Sequence, residues 1–255
     1  MRKDSPYYNQ SIKVLQSSAL FSGLEEHIIE DILGNFTPIT LPKKSIINYS
    51  VTRESIFIIL RGRVKLSKIN PENGREFIVS LLTEGDIFDL ISFLDEKEHE
   101  INIESIDEIQ LLKTSTTTAR NWLNNNPEFN KNFIPYLGSR MRLLEDSGSD
   151  LALYDTITRL AKLILNNINT TVNKEDGKFT VKLINDLSHE ALAQMIGSVR
   201  KVVNLNIQTL KKEGIITSVR GKLSVNNLEK LLDKCKDIVY AKKLNKIFKK
   251  GCNIC

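Results

Sequence analysis

The sequence predicts an α+β chain: a small antiparallel β-barrel or roll, then a long helix, then a C-terminal domain built on a winged helix-turn-helix. Three observations predict it. Between Ser45 and Lys113 short apolar runs alternate with turn residues at spacings of about ten. After Asn126-Pro127 the apolar period becomes that of a helix. In "SHEALAQMIGSVRKVVNLNIQTLKKEGII", from Ser188 to Ile216, two helix-periodic segments meet at a single glycine, Gly197.

In chain order, "GLEEHIIEDILGNF" places Leu24, Ile28, Ile29 and Ile32 on one helical face, a lead-in to the strands. "SIFIIL" reads as a buried strand, "RGR" as a turn, "VKLSKI" as an alternating strand, "NPENGR" as a hairpin loop, "EFIVSLL" as a strand and "TEGD" as a turn. From Asn126-Pro127 onward, Phe129, Phe133, Leu137, Met141 and Leu144 form a seam that wants a partner helix. A second copy of the chain, related by a two-fold axis, supplies one; packing on the barrel is the alternative, and Pro135 points to a kink or a late start. "DSGSD" (146–150) is a polar, glycine-containing break and the expected domain boundary. Beyond it lie an amphipathic helix, "LALYDTITRLAKLILNNI", a short strand, "KFTVKL", the quoted segment, and a wing-like hairpin, "GIITSVRGKLSVNN", turning at Arg220-Gly221-Lys222. The division is 1–115, 116–149 and 150–255, the last ending in a lysine-rich tail.

Composition narrows the function. The formal charge of +5 is unevenly spread: residues 151–255 carry a balance of +10 and residues 1–150 one of −5. A basic half is the electrostatic footprint of a polyphosphate partner. No apolar run is long enough to span a bilayer, and "MRKDSPYYNQ" lacks the apolar stretch of a secretory signal, so a cytoplasmic protein without a membrane partner is expected. The three cysteines, Cys235, Cys252 and Cys255, fit a reducing compartment. No nucleophile–base set, phosphate loop or metal quartet is visible, which argues against an enzyme.

In the quoted stretch, Leu187, Ala191, Leu192, Met195 and Ile196 form the apolar side of a short helix with Ser188 as its N-cap. Gly197 stands where a left-handed residue ends a helix at least cost, and Ser198 is placed to cap the next. That helix is expected to bury Val199, Val203, Ile207 and Leu210 and to expose Lys201, Asn204, Gln208 and Lys211, with Arg200 beside them. The geometry is a helix-turn-helix whose second helix enters the major groove of double-stranded DNA. Arg200 can bond guanine O6 and N7 together, Lys201 and Asn204 can reach base edges or phosphate, and Ser188 and His189 are placed for backbone contact. The candidate DNA contacts are Ser188, His189, Ser198, Arg200, Lys201, Asn204, Leu205 and Lys211.

From about Ser22 to Leu228 the chain resembles the cyclic-AMP receptor protein/FNR (Crp/Fnr) family of bacterial transcription regulators, through "FIILRGRVKLSKINPENGREFIVSLLTEGDIF", "TRLAKLIL" and "LSHEALAQMIGSVRKVV…LKKEGII". The resemblance implies an N-terminal effector-binding β-roll similar to a cyclic-nucleotide-binding domain, a long dimerisation helix, and a C-terminal winged helix on a palindromic operator. The implied partners are double-stranded DNA, a second copy as homodimer, and RNA polymerase. Where members that bind cyclic nucleotides carry Gly-Glu for the ribose and Arg-Ser for the phosphate, this chain has Asp89-Leu90 and Glu100-Ile101. These four are the candidate effector-pocket residues. They argue against cyclic AMP, as do the seven acids and one lysine of "DEKEHEINIESIDE". No cysteine precedes Cys235, which argues against the family's iron–sulfur cluster. Lys201 stands where glutamate is frequent in the family and Leu205 where arginine is, so the operator is expected to differ from the commonest half-site. His27 and His99 read as exposed histidines, with haem ligation the alternative, as in the family's gas-sensing branch. Cys252 and Cys255 read as an inert tail rather than a metal or redox site. The alternative function is a non-specific, nucleoid-type DNA-binding protein.

Overall fold

The computed structural model describes residues 1–169, 178–219 and 222–235. It forms two compact units, Met1–Asp146 and Ser147–Cys255. The first begins with α1 (Tyr8–Ser17) and α2 (Glu26–Gly34), then β1 (Thr37–Leu41), β2 (Ile46–Ile47), α3 (Tyr49–Glu54), β3 (Ser55–Arg61), β4 (Val64–Ile69), β5 (Glu76–Leu82) and β6 (Ile87–Phe88). α4 (Leu90–Asp95), β7 (Asn102–Ser105), β8 (Ile109–Ser115), α5 (Thr116–Asn125) and α6 (Pro127–Leu153) follow. The strands pair antiparallel in two four-stranded sheets, β1-β8-β3-β6 and β2-β7-β4-β5.

β3 shows why "SIFIIL" carries no alternation. Phe57 and Ile59 face the interior of the roll with Ile47, Val64, Phe88 and Ile103, and Phe57 stacks on Phe88 at 4.9 Å. Ile56, Ile58 and Leu60 face the other way, onto Leu15, Phe21, Ile29 and Leu33 of the N-terminal helical region. A strand covered on both faces is apolar throughout. The roll is also tied by charge: Arg63 gives Nε to Asp107 Oδ2 at 2.7 Å and Nη2 to Oδ1 at 2.9 Å, a bidentate fork. The Arg63 hydrogen bond holds the Asp107 carboxyl below its ordinary 3.8, against a smaller upward push from burial. Because the folded value is the lower one, the stability from this pair is full above pH 3.8 and is lost as pH falls through the folded value. Asp107→Asn is expected to cost about 1 kcal/mol or less at neutral pH, the carboxylate being partly exposed. Denaturant melts should show that difference shrinking to nothing in acid.

Two expectations for the helices need correction. Phe129 and Phe133 do not belong to an unpartnered seam. They are buried in the first unit's core with Phe21, and Phe129 lies 4.1 Å from the Trp122 ring, because those aromatics offer a larger apolar contact than a distant helix. Met141 and Leu144 stay exposed, at 70% and 46%. Nor does "DSGSD" break the helix: α6 runs through it, and through Pro135, to Leu153. One glycine costs a helix only about 1 kcal/mol relative to alanine, too little to stop it. The break comes at Tyr154-Asp155, where the Asp155 carboxylate accepts from the Thr158 N–H at 2.9 Å and caps the next helix.

The second unit contains α7 (Thr156–Asn166), β9 (Phe179–Thr180), α8 (His189–Met195), α9 (Arg200–Lys212), β10 (Ile216–Val219), β11 (Lys222–Val225) and α10 (Leu228–Cys235). α7 packs on α9 and α10, and the strands form a sheet in the order β10-β11-β9. Asn206 Nδ2 donates to Thr156 Oγ1 at 3.2 Å, tying α9 to α7. Of the turn expected at Arg220-Gly221-Lys222, the first two residues lie outside the described residues, as do the lysine tail beyond Cys235 and Cys252 and Cys255. No helix among the described residues is long and apolar enough to cross a membrane.

Candidate nucleic-acid interface and sensor cavity

The sequence dictates the turn between α8 and α9. Ser188 Oγ accepts the Ala191 N–H at 3.1 Å and caps α8. At the other end Gly197 takes φ +61°, and the Ser198 N–H bonds back to the Ala193 carbonyl at 2.9 Å. That is a Schellman closure, in which the left-handed residue reverses the chain within one step. Ala193, fully buried, lets the two helices cross closely. Val203, Ile207 and Leu210 then bury one face of α9, and Arg200, Lys201, Leu205, Gln208 and Lys211 are exposed.

Two details differ from expectation. Val199, expected in the core, is the N-cap residue of α9 and 54% exposed. Ser198 makes no cap, because α9 begins one residue later than a serine cap requires. His189 and Asn204 also prove not to be independent: His189 Nδ1 is hydrogen-bonded to Asn204 Oδ1, pinning α8 to α9 through a partly buried contact. Sequence reading missed this pair, since the residues are fifteen apart and each had been placed separately against DNA. With its oxygen engaged, Asn204 has only its amide N–H groups to offer outward.

The first unit holds a cavity of ≈ 350 Å³ walled by β4, β5, α4 and α6. Asp89, Leu90 and Ile101 line it; Glu100 is exposed and is not part of the wall, because its side chain lies on the solvent side of the segment leading to β7. Asp89 is itself buried, in a left-handed conformation at φ +55°. Its carboxylate accepts from Thr52 Oγ1 at 2.5 Å and Ser92 Oγ at 2.9 Å, and faces His99 Nδ1 at 3.0 Å. The expectation of an exposed His99 is therefore corrected: the buried carboxylate draws the ring into the cavity wall. His27 is exposed beside Glu25. Among the described residues no cluster of three His, Cys, Asp or Glu side chains is arranged to hold a metal ion.

Lys68, Tyr136 and Arg140 also line the cavity and were missed in the sequence. The only available signal was the spacing of Tyr136 and Arg140, one helical turn apart in α6. Arg140 is paired with Asp86 and lies over the Tyr136 ring at 4.9 Å. Burial works against its charge, but Asp86 and Tyr136 together more than offset it, so the guanidinium is held above its ordinary pKa.

Comparison with known proteins follows the same division. The model of a Crp-like helix-turn-helix domain matches residues 158–234, and that of a cyclic nucleotide-binding domain matches residues 40–126. The global nitrogen regulator of Nostoc sp. is 30% identical over 176 residues, spanning 68% of this chain and 77% of the relative. The chain belongs to the Crp/Fnr family of transcription regulators. Other Crp/Fnr relatives extend the match. The CRP-like cAMP-activated global transcriptional regulator of Mycobacterium tuberculosis is 23% identical over 220 residues, covering 86% of this chain and 97% of that protein. A CooA variant from Carboxydothermus hydrogenoformans has the same fold, with a TM-score of 0.70 at 24% identity over 88% of this chain and 98% of that one. FixK2 from Bradyrhizobium japonicum gives 0.65 at 17% identity, over 78% and 96%. The Crp/Fnr chain described here is accordingly a DNA-binding regulator of transcription with a cyclic-nucleotide-binding-like domain.

Proposed function

We propose that the protein acts as a homodimer on a palindromic operator, each copy placing α9 in the major groove of one half-site, under control of an effector other than cyclic AMP. The observation that carries this reading is the exposed leading edge of α9, Arg200 and Lys201, immediately after the left-handed turn at Gly197. Arg200 pairs with a guanine edge, Lys201 reaches a base edge or phosphate, and the Asn204 amide donates to a base acceptor. Leu205, 56% exposed, meets a thymine methyl group. Ser188, His189, Ser198 and Lys211 hold the DNA backbone, which fixes register without carrying sequence information. Division of the chain at 115 and 149 into sensor, dimer helix and DNA-binding parts belongs to the same proposal, as does contact with RNA polymerase.

The homodimer draws support from α6. Ile134, Leu137, Met141, Leu144, Gly148 and Leu151 recur at alternating spacings of three and four along it, the repeat of a two-stranded coiled coil. Ile134 and Met141 are 67% and 70% exposed. Selection of bound sites from random DNA by the full chain tests the reading. The expected product is two inverted half-sites with centres about 10 base pairs, or one helical turn, apart, each with a fixed guanine and thymine. Uniform binding of all sequences, falling together with salt, would instead identify the non-specific nucleoid-type binder.

A further inference from the structure

We propose that the cavity of the first unit takes an apolar monocarboxylic acid, the body against its aliphatic walls and the carboxylate at Arg140 and Lys68. This rests on the effector-responsive reading above and specifies its ligand.

The walls decide the body. Leu66, Leu90 and Ile101 line the cavity beside Leu137 and Met141 of α6, and its volume lies in the range of small-molecule sites. A nucleotide would need acceptors for its sugar hydroxyls and paired donors for its phosphate. The one wall carboxylate, Asp89, is sealed, with both oxygens committed to Thr52, Ser92 and His99.

The donors decide the head group. Arg140 leaves its Nε–H buried with no hydrogen-bond partner, while Asp86 pairs with Nη2. Arg140 and Lys68 both stand in the wall, and a ligand carboxylate that meets a guanidinium and an ammonium there gains charge-assisted hydrogen bonds. Lys68, at the exposed end of β4, makes no ion pair among the described residues and adds a second positive charge. The acidic side chains of residues 95–100, apart from the rim, are exposed and screened by salt.

Calorimetric titration of the full chain, without DNA, tests this with 4-phenylbutyrate and decanoate as probes, 4-phenylbutanol and decanol as their neutral counterparts, and cyclic AMP. At least one acid should bind saturably, one per chain, and at least about tenfold more tightly than its alcohol, the effect of a charge-assisted bond. Lys68→Gln, on an exposed side chain, should weaken the acid and leave the alcohol unchanged; Arg140→Gln should remove the difference between them, with circular dichroism confirming the fold. The proposal is overturned if neither acid binds, if acid and alcohol bind alike, or if cyclic AMP binds more tightly than both. Absent binding by a chain that sediments as a dimer would assign the cavity's mouth to the second copy's α6. None of these outcomes touches the operator selection, so the regulator reading and its ligand fail separately.

Discussion

Arg200→Ala is expected to abolish preference at one guanine position in each half-site while leaving the protein folded. Arg200 is exposed at the start of α9 and contributes nothing to the buried face formed by Val203, Ile207 and Leu210, so the melting temperature should stay unchanged. A bidentate arginine–guanine pair is worth about 1–3 kcal/mol of discrimination. Two half-sites double that, which corresponds to a loss of about 30-fold to about 20,000-fold on the selected operator. Affinity for unrelated DNA should fall far less. Arg200→Lys should not rescue the preference, because an ammonium cannot span two acceptors in one plane. Competition binding on the operator and on a guanine-substituted copy measures the effect. If affinity falls by the same factor on both, Arg200 is a phosphate contact and the guanine assignment is wrong.

Gly62→Ala should produce a large loss of stability in the first unit. Gly62 closes the turn between β3 and β4 at φ +93°, and a Cβ there would lie 2.7 Å from the Glu108 carbonyl oxygen and 2.9 Å from Ile109 Cγ2. Neither neighbour can yield cheaply: one is backbone, the other a buried side chain of the roll's interior. The left-handed backbone costs an alanine roughly 1–2 kcal/mol and the overlap a further ~1–3 kcal/mol. The total of about 2–5 kcal/mol should lower the melting temperature by roughly 5–20 °C for a domain of this size. Gly74→Ala is the control. It shares a positive φ, +68°, but nothing lies within 4 Å of its Cβ, so only the backbone cost should appear. Equal losses at the two positions would mean that the contact beneath Gly62 is not tight.

What the sequence disclosed, and what it hid, follows from the range of the forces involved. The Ser188 cap, the Gly197 reversal and the buried face of α9 are set within four residues and were readable. So was the β4–β5 hairpin, whose loop carries its own turn residues. Asp155 hid behind "DSGSD", because a capping aspartate and a tolerated glycine look alike until one side chain is seen accepting an N–H. Phe129 and Phe133 fit a seam equally well facing a second helix or facing Phe21 and Trp122; periodicity identifies the face and not its partner. The cavity was half legible. Asp89, Leu90 and Ile101 were found through the resemblance, but Arg140 and Lys68 join them only once α6 and β4 wall the same cavity, a grouping of residues about seventy apart that no local pattern encodes.

The hydrogen bond between His189 and Asn204 constrains any attempt to reprogram the protein for another promoter. Exchanging residue 204 to suit a different base pair would also release the imidazole from its anchor. Engineers should therefore randomise both positions together, and libraries varied at one of them alone would be enriched for mechanically loosened proteins as much as for altered taste in DNA.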